Sequence, residues 1–357
     1  MTGTQPNFKQ ALTLPDYPVT FRNAVALAPM AGMTDVPLRS LAWQFGAGHM
    51  VSEMVTSKAQ LWDTGKSKQR RVLIPGVTHH AVQIAGKEPT VMAESAQRLV
   101  DEGVGIIDVN FGCPAKKVCR KAAGSALLAD IDRVARIVDA VASAVDVPVT
   151  VKTRTGLTLE DSAGLDAALA AQKAGAQMIV IHGRSRACRF NGAADYSKVA
   201  KAKEQLLIPV LVNGDIDGPV QAQRACLESG ADGVMIGRAV MGQPWIFAMM
   251  LGAAEPTRAE KLAVMQRHLV MLHEFYGEVQ GPRIARKHVQ AYLQRLHRAD
   301  LVPAFMRLAS AQEQCEWLAT QCDNQLFQSR AATHASTREA GCKQNQWAAA
   351  SAHDYAA

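Results

Sequence analysis

The sequence predicts an α/β fold, a TIM (β/α)8 barrel with a C-terminal all-helical domain, on three observations. Eight short apolar runs of strand length alternate with longer segments whose apolar residues recur at three- and four-residue spacing. The repeats fill about 230 residues, the span of one closed barrel. No Gly-x-Gly-x-x-Gly follows any of the runs, since Gly103-Val104-Gly105 lacks a third glycine and precedes its strand, so an open dinucleotide-binding sheet is disfavoured.

In chain order, Met1 to Asp16 show no periodicity and are expected to form a loose leader (1–16). The strand candidates are Ala24–Ala28, His49–Ser52, Ala81–Ile84, Ile106–Asn110, Val149–Lys152, Met178–His182, Val210–Asn213 and Gly233–Ile236. Between them, Pro89 opens a helix marked by Val91, Ser95 and Leu99, and Gly103 follows its end. Asp130 can cap another, with Val134, Ile137, Val138 and Val141 on one face. Gly175 and Gly230 stand where two more helices should stop. The barrel is therefore placed at 17–252. Pro256 and Thr257 begin a helical region, 256–325, in which Leu262, Met265, Leu269 and Leu272 keep helical spacing, as do Val289, Leu293 and Leu296. The segment 330–357 is rich in Ala, Gln, Ser and Thr without periodicity and is expected to be disordered.

Composition narrows the function classes. Hydrophobic residues make up 48% of the 357, and a mean hydropathy of −0.04 is that of an ordinary soluble protein. The most apolar window, Gly233 to Ala254, contains Arg238, Gln243 and Pro244 and is a poor membrane span. No basic segment followed by an apolar one opens the chain, so no secretory signal is read. Seven cysteines at irregular spacing suggest no disulfide framework, and without a Cys-x-x-Cys pair no metal site is expected. The expected compartment is the cytoplasm. A net charge of +7 makes a polyanion a plausible partner. The charge has a focus: from Val279 to Ala299 there are five Arg or Lys and no acid, including Arg283, Arg286 and Lys287. That pattern favours a phosphate-facing helix.

In such barrels the active site forms where the strands end. Those ends carry Pro29-Met30-Ala31, Glu53, Gln83, Asn110 with Cys113, Lys152, His182, Asn213-Gly214-Asp215 and Gly237-Arg238. Each has an ordinary structural reading alone; a purely structural barrel has no reason to gather them at one rim. The two glycine-bearing ends after the last strands suit a phosphate, to which Arg238 adds charge. Pro29-Met30-Ala31 can lie against a flat ring, and Gln83 and Lys152 can hydrogen-bond the edge of a carbonyl-bearing heterocycle. A flat ring joined to one phosphate describes FMN, although a phosphosugar satisfies half of the pattern.

The stretch Asp108-Val109-Asn110-Phe111-Gly112-Cys113-Pro114-Ala115-Lys116-Lys117-Val118 presents one thiol in a bend between Gly112 and Pro114. An isolated cysteine is more often a buried structural residue; the rim around this one reverses that. Cys113 can give a proton while a flavin gives hydride to a conjugated double bond. Lys116, Lys117 and Arg120 are expected to lower the thiol pKa, against the needs of an acid, unless phosphates of a bound polyanion offset them.

These residues resemble the tRNA-dihydrouridine synthases. The likeness rests on Ala28-Pro29-Met30-Ala31-Gly32-Met33-Thr34-Asp35, Ser52-Glu53-Met54, Gln83-Ile84-Ala85-Gly86, Asn110-Phe111-Gly112-Cys113-Pro114, His182-Gly183-Arg184, Asn213-Gly214-Asp215-Ile216 and Ile236-Gly237-Arg238. Lys116-Lys117-Val118 and Arg283-Ile284-Ala285-Arg286-Lys287-His288 look like the bacterial B-type subgroup. The resemblance implies an FMN-dependent, NADPH-consuming enzyme that reduces a uridine of the tRNA D-loop, at position 17, to 5,6-dihydrouridine. It implies that Cys113 protonates C5 while hydride reaches C6. Pro29, Met30, Ala31, Gln83, Lys152, His182, Asn213, Gly214, Asp215, Gly237 and Arg238 fall on flavin positions, and Asn110 and Lys152 near the uracil. Arg184 and Arg186 fall where the family meets tRNA. The enzyme is expected to act as a monomer. One departure is Cys119, where that subgroup usually has Asn.

Two other functions fit parts of the pattern. A small-molecule flavoenzyme of dihydroorotate dehydrogenase type would share the phosphate loops but has no need of a basic helical domain. A flavin-bearing RNA binder without turnover would need the basic surface but not the thiol.

Overall fold

A computed structural model describes residues 6–321. The strands are β1 (Leu12–Thr13), β2 (Thr20–Phe21), β3 (Val25–Leu27), β4 (His49–Met50), β5 (Val55–Thr56), β6 (Ala81–Ala85), β7 (Ile106–Asn110), β8 (Val149–Arg154), β9 (Met178–His182), β10 (Val210–Asn213) and β11 (Gly233–Ile236). β3 to β11 form one parallel sheet in the order β4-β3-β11-β10-β9-β8-β7-β6-β5. Its first and last members are two pieces of the same segment. Val51 bridges Ala81, and the Ser52 amide donates to the Ala81 carbonyl at 2.9 Å, so the sheet closes into a ring of eight. The expected strand His49–Ser52 is thus split in two. Where the chain leaves β4, the Glu53 side chain turns to hold the loop after β3 rather than continue the ladder: it accepts from the Gly32 amide and pairs with Arg70 at 2.8 Å.

Alternation along each strand sorts the two faces. Outward residues such as Val82, Ile84, Ile107, Val109, Ile179 and Ile181 pack under the helices. Inward residues change character along the strand, from Ile106 through Asp108 to Asn110, and from Met178 through Val180 to His182. One end of the barrel is therefore apolar and the other polar.

The apolar end corrects an expectation. Residues 6–16 are no loose leader. β1 pairs with β2 as an antiparallel ribbon, and Leu14, Val19 and Phe21 pack onto Ala26, Ile106, Met178 and Leu211 at the barrel floor. The Asp16 carboxylate accepts from Gln177 at 2.9 Å. Two-residue strands are too short to show periodicity, yet the open floor of a barrel must be covered.

The helices around the ring include α1 (Val36–Gln44), α2 (Gly65–Arg71), α3 (Pro89–Asp101), α4 (Lys116–Cys119), α5 (Ile131–Ala142), α6 (Ala163–Lys173), α7 (Tyr196–Lys203), α8 (Pro219–Ser229) and α9 (Ile246–Met250). Asp130 caps α5, accepting from the Arg133 amide at 3.0 Å, and Val134, Ile137, Val138 and Val141 are all buried, as their spacing predicts.

The rest of the described chain is helical: α10 (Arg258–Arg295), α11 (Val302–Arg307) and α12 (Ala311–Gln321). Thr257 and Glu260 form a reciprocal cap at the start of α10. At Gly277 (φ 72°, ψ 177°) α10 breaks into two arms. The arms lie against each other, His268 facing His288 with ring centroids 4.7 Å apart. Their shared core holds Leu262, Met265, Leu269, Leu272, Val289 and Leu293, with Phe305 and Leu318 from the later helices. Residues 322–325 of the expected helical region, and the expected tail, lie outside the described residues. No helix among those described is long and apolar enough to cross a membrane.

Candidate active site

The polar end of the barrel opens into a cavity of about 940 Å³. All eleven positions assigned by resemblance to flavin line it. Asn110, Cys113 and Lys116 line it too, and Arg295 reaches it from α10. Lys117, Arg120 and Arg186 lie off the cavity wall.

The β3 exit loop, Pro29 to Gly32, is held from three sides. The Thr34 hydroxyl accepts from the Met30 amide at 2.8 Å, Glu53 accepts from the Gly32 amide, and Lys287 on α10 donates to the Gly32 carbonyl. Lys287, expected to face phosphates, is thus spent on this loop.

After β10, two strands round the ring from β3, the Gly214 backbone runs close to the His182 ring. A Cβ on Gly214 would stand 2.9 Å from it, and φ of +121° itself favours glycine. Burial and the cations Lys152, Arg154, Arg184 and Arg238 push His182 down to about 2, so it stays neutral. A Cβ on Gly237 would meet nothing nearer than Asn213 Nδ2 at 3.8 Å, so that backbone faces the cavity bare. Exposed Arg238 stands beside it. The open backbone of Gly237 and the Arg238 cation, with apolar Met30 and Ala31 beside them, suit FMN. His182, Gly214, Gly237 and Arg238 would hold its phosphate, and Met30, Ala31, Gln83 and Lys152 its ring.

Lys152 donates to Asn213 Oδ1 at 3.0 Å, and burial brings its ammonium down to about 7. Gln83 is a link in a chain rather than a free edge. It donates to Asp108 at 2.7 Å and accepts from Asn110 Nδ2 at 2.7 Å, while Asp108 also accepts from the Thr150 hydroxyl at 2.6 Å. Burial raises the Asp108 carboxyl to about 6.

Asn110 uses its other end on the thiol loop. Its Oδ1 accepts from the Cys113 amide at 2.9 Å and from the Gly112 amide at 3.2 Å. The Cys113 carbonyl accepts from the Ser125 amide at 3.1 Å and hydroxyl at 2.9 Å. Cys119 sits under this loop with its thiol 3.5 Å from the same carbonyl. Gly124 passes so close that a Cβ there would lie 2.8 Å from that carbonyl.

The expected fall in the Cys113 pKa is overturned. Burial pushes the thiol up from its ordinary value, against smaller lowering effects of the Ala115 backbone and the Arg154 charge. Lys116, Lys117 and Arg120 are exposed, where water screens them. The thiol therefore keeps its proton without help from a bound polyanion.

Arg184, expected at the tRNA, is corrected as well. It is 4% exposed, donates to both Asp215 oxygens at 2.7 Å, and reaches the Asn191 and Gly192 carbonyls. Of the basic residues on the second arm of α10, Arg283 is exposed, while Arg286 donates to the Leu308 carbonyl at 3.0 Å.

Sequence reasoning missed Asp108, Arg154 and Phe190. Asp108 and Arg154 each lie two residues from a residue already singled out, on the same inward face of β7 or β8. Arg154 donates from Nε to the Gly112 carbonyl at 2.7 Å and from Nη1 to the Ser185 and Arg189 carbonyls at 3.1 and 2.9 Å, tying the thiol loop to the loop after β9. Phe190 carried no signal beyond being one aromatic in a basic loop.

Comparison with known proteins agrees with this geometry. The family model described as Dihydrouridine synthase (Dus) matches residues 26–330. The tRNA-dihydrouridine synthase B of Pseudomonas aeruginosa is 48% identical over 306 residues, covering 84% of this chain and 92% of that protein. Those of Vibrio vulnificus and Salmonella typhimurium are each 46% identical, over 311 and 314 residues, covering 85% of this chain and 97% of theirs. The match takes in every strand from β6 to β11, the thiol loop and the described helical region, and the chain belongs to the dihydrouridine synthase family.

Proposed function

We propose that this protein reduces a uridine of the tRNA D-loop, at position 17, to 5,6-dihydrouridine, with FMN in the barrel cavity and NADPH as electron donor. The observation that carries the reading is a half-buried thiol, kept protonated by its surroundings, at the wall of a cavity suited to FMN. When bound, FMN supplies the hydride that goes to C6 of the uracil.

The chain's own residues do the rest. Cys113 donates the thiol proton to C5, and the thiolate left behind is reprotonated from water at the mouth. Asn110 fixes the Cys113 amide, and Ser125 fixes its carbonyl, so the sulfur is aimed before substrate arrives. Lys152, close to neutrality, serves the edge of the ring. The target base must leave its stack to reach this depth. Exposed Lys116, Lys117, Arg120 and Arg283, with half-buried Arg186, supply cations around the mouth for the RNA backbone. The protein works as a monomer in the cytoplasm, where its substrate is.

Mapping dihydrouridine by chemical cleavage of tRNA, from cells with and without the gene, tests the reading. A site lost with the gene and restored by wild-type protein but not by Cys113→Ala supports it. An unchanged tRNA pattern rejects it.

A further inference from the structure

Phe190 is 53% exposed at the wall of the cavity. The backbone around it is secured on both sides. Before it, the Arg189 carbonyl accepts from Arg154; after it, the Asn191 and Gly192 carbonyls accept from Arg184. Both arginines are buried, at 3% and 4% exposure. Arg189 takes a left-handed φ of 52°, uncommon for a non-glycine residue, to turn the chain at this point. The ring centroid then lies 5.6 Å from the Arg154 guanidinium and 5.2 Å from that of Arg238. A mobile loop would let the ring collapse onto the barrel; this one holds it out.

Resting on the tRNA reading above, we infer that Phe190 is a stacking residue, which receives the base drawn out of the RNA at the cavity mouth. A base leaving its helix loses its neighbours, and an aromatic face replaces them without regard to sequence. Phe190 has no hydroxyl or amide, so it contributes a surface and no hydrogen bond. Discrimination of uracil is left to Asn110 and Lys152.

The test compares Phe190→Leu, Phe190→Tyr and Phe190→Trp with wild type, on unmodified tRNA. Leu should lower kcat/KM about tenfold or more, the worth of one lost base stack, while flavin content and tRNA-free flavin reduction by NADPH stay at wild-type levels. Tyr and Trp should recover most of the loss. In Phe190→Trp the added emission, taken as the difference from wild type, should be quenched when tRNA binds. A Leu variant as fast as wild type overturns the inference, as does an added indole signal indifferent to tRNA. The fluorescence arm needs no turnover, so failed stacking is distinguishable from failure of the reductase reading, which appears as wild-type protein inert on every tRNA.

Discussion

His288 on the second arm of α10 and Asp35 at the head of α1 are joined by Nε2 and Oδ2 at 3.1 Å, both side chains almost wholly buried. Asp35 also caps α1 through the Leu38 amide, and the His268 ring lies tilted against His288 while its Nδ1 meets the Tyr292 hydroxyl at 3.1 Å. This buried cluster lies in the seam between barrel and helices. Removing His288 strands a buried carboxylate. His288→Ala should cost about 3–5 kcal/mol in urea unfolding, and His288→Gln, which can still donate, clearly less. Equal losses would show that packing, not the pair, matters.

The same pair gives a pH dependence. Burial alone would raise the Asp35 carboxyl, but the charge and hydrogen bond of His288 hold it down at about 2, below its ordinary 3.8. A depressed carboxyl stabilises the fold above its ordinary value and loses that contribution as pH falls through about 2. Acid unfolding of His288→Ala should therefore begin at higher pH than in wild type. Coincident acid transitions would refute this.

Because burial raises the Cys113 thiol, its alkylation by iodoacetamide should rise with a midpoint above the ordinary 9.0. Mapping the modified residue by mass spectrometry separates it from Cys119. A midpoint near neutrality would mean a thiolate, and would remove Cys113 as the acid.

Gly124→Ala places a Cβ 2.8 Å from the Cys113 carbonyl at a φ of +62°. The thiol loop must shift, and a displacement near 1 Å can cost about a hundredfold in turnover. Flavin content should be unchanged, since the cavity's phosphate end is untouched. Loss of flavin together with activity would indicate collapse rather than misplacement.

Arg283 and Arg286 should now part company. Arg283→Ala should reduce the salt slope of tRNA binding by about one. Arg286→Ala should instead lower stability by about 1 kcal/mol, because it leaves the Leu308 carbonyl with only the longer 3.4 Å bond from Gln314. Equal salt slopes in the two variants would contradict the assignment.

What the sequence discloses follows from where each residue stands. Asn110, His182 and Asn213 are readable because they end apolar strands, and Gln83 and Lys152 because a polar residue inside an apolar run breaks its pattern. Asp108, level with Gln83 on the neighbouring strand, is given no role by the sequence because its partners Gln83 and Thr150 are 25 and 42 residues away. Arg184 is misjudged because charge does not reveal its partner: Asp215 is 31 residues away, on the loop after another strand. The β1–β2 ribbon and the division of the second barrel strand depend on closing the barrel floor and on Glu53 reaching the neighbouring loop. Neither leaves a period to detect.

Two adjacent residues of one helical turn, Lys287 and His288, grasp Gly32 and Asp35, three positions apart in the β3 exit segment. Nearby, Gly242 is pressed so close to Ala291 that a Cβ would fall 2.5 Å from its carbonyl. A chain cut at Pro256 would thus forfeit the supports of the β3 exit loop, and Arg295 from the cavity lining. Truncation, the obvious way to ask whether the barrel serves a free pyrimidine, would abolish either activity alike. That question has to be put with single substitutions on the outer face of the helices.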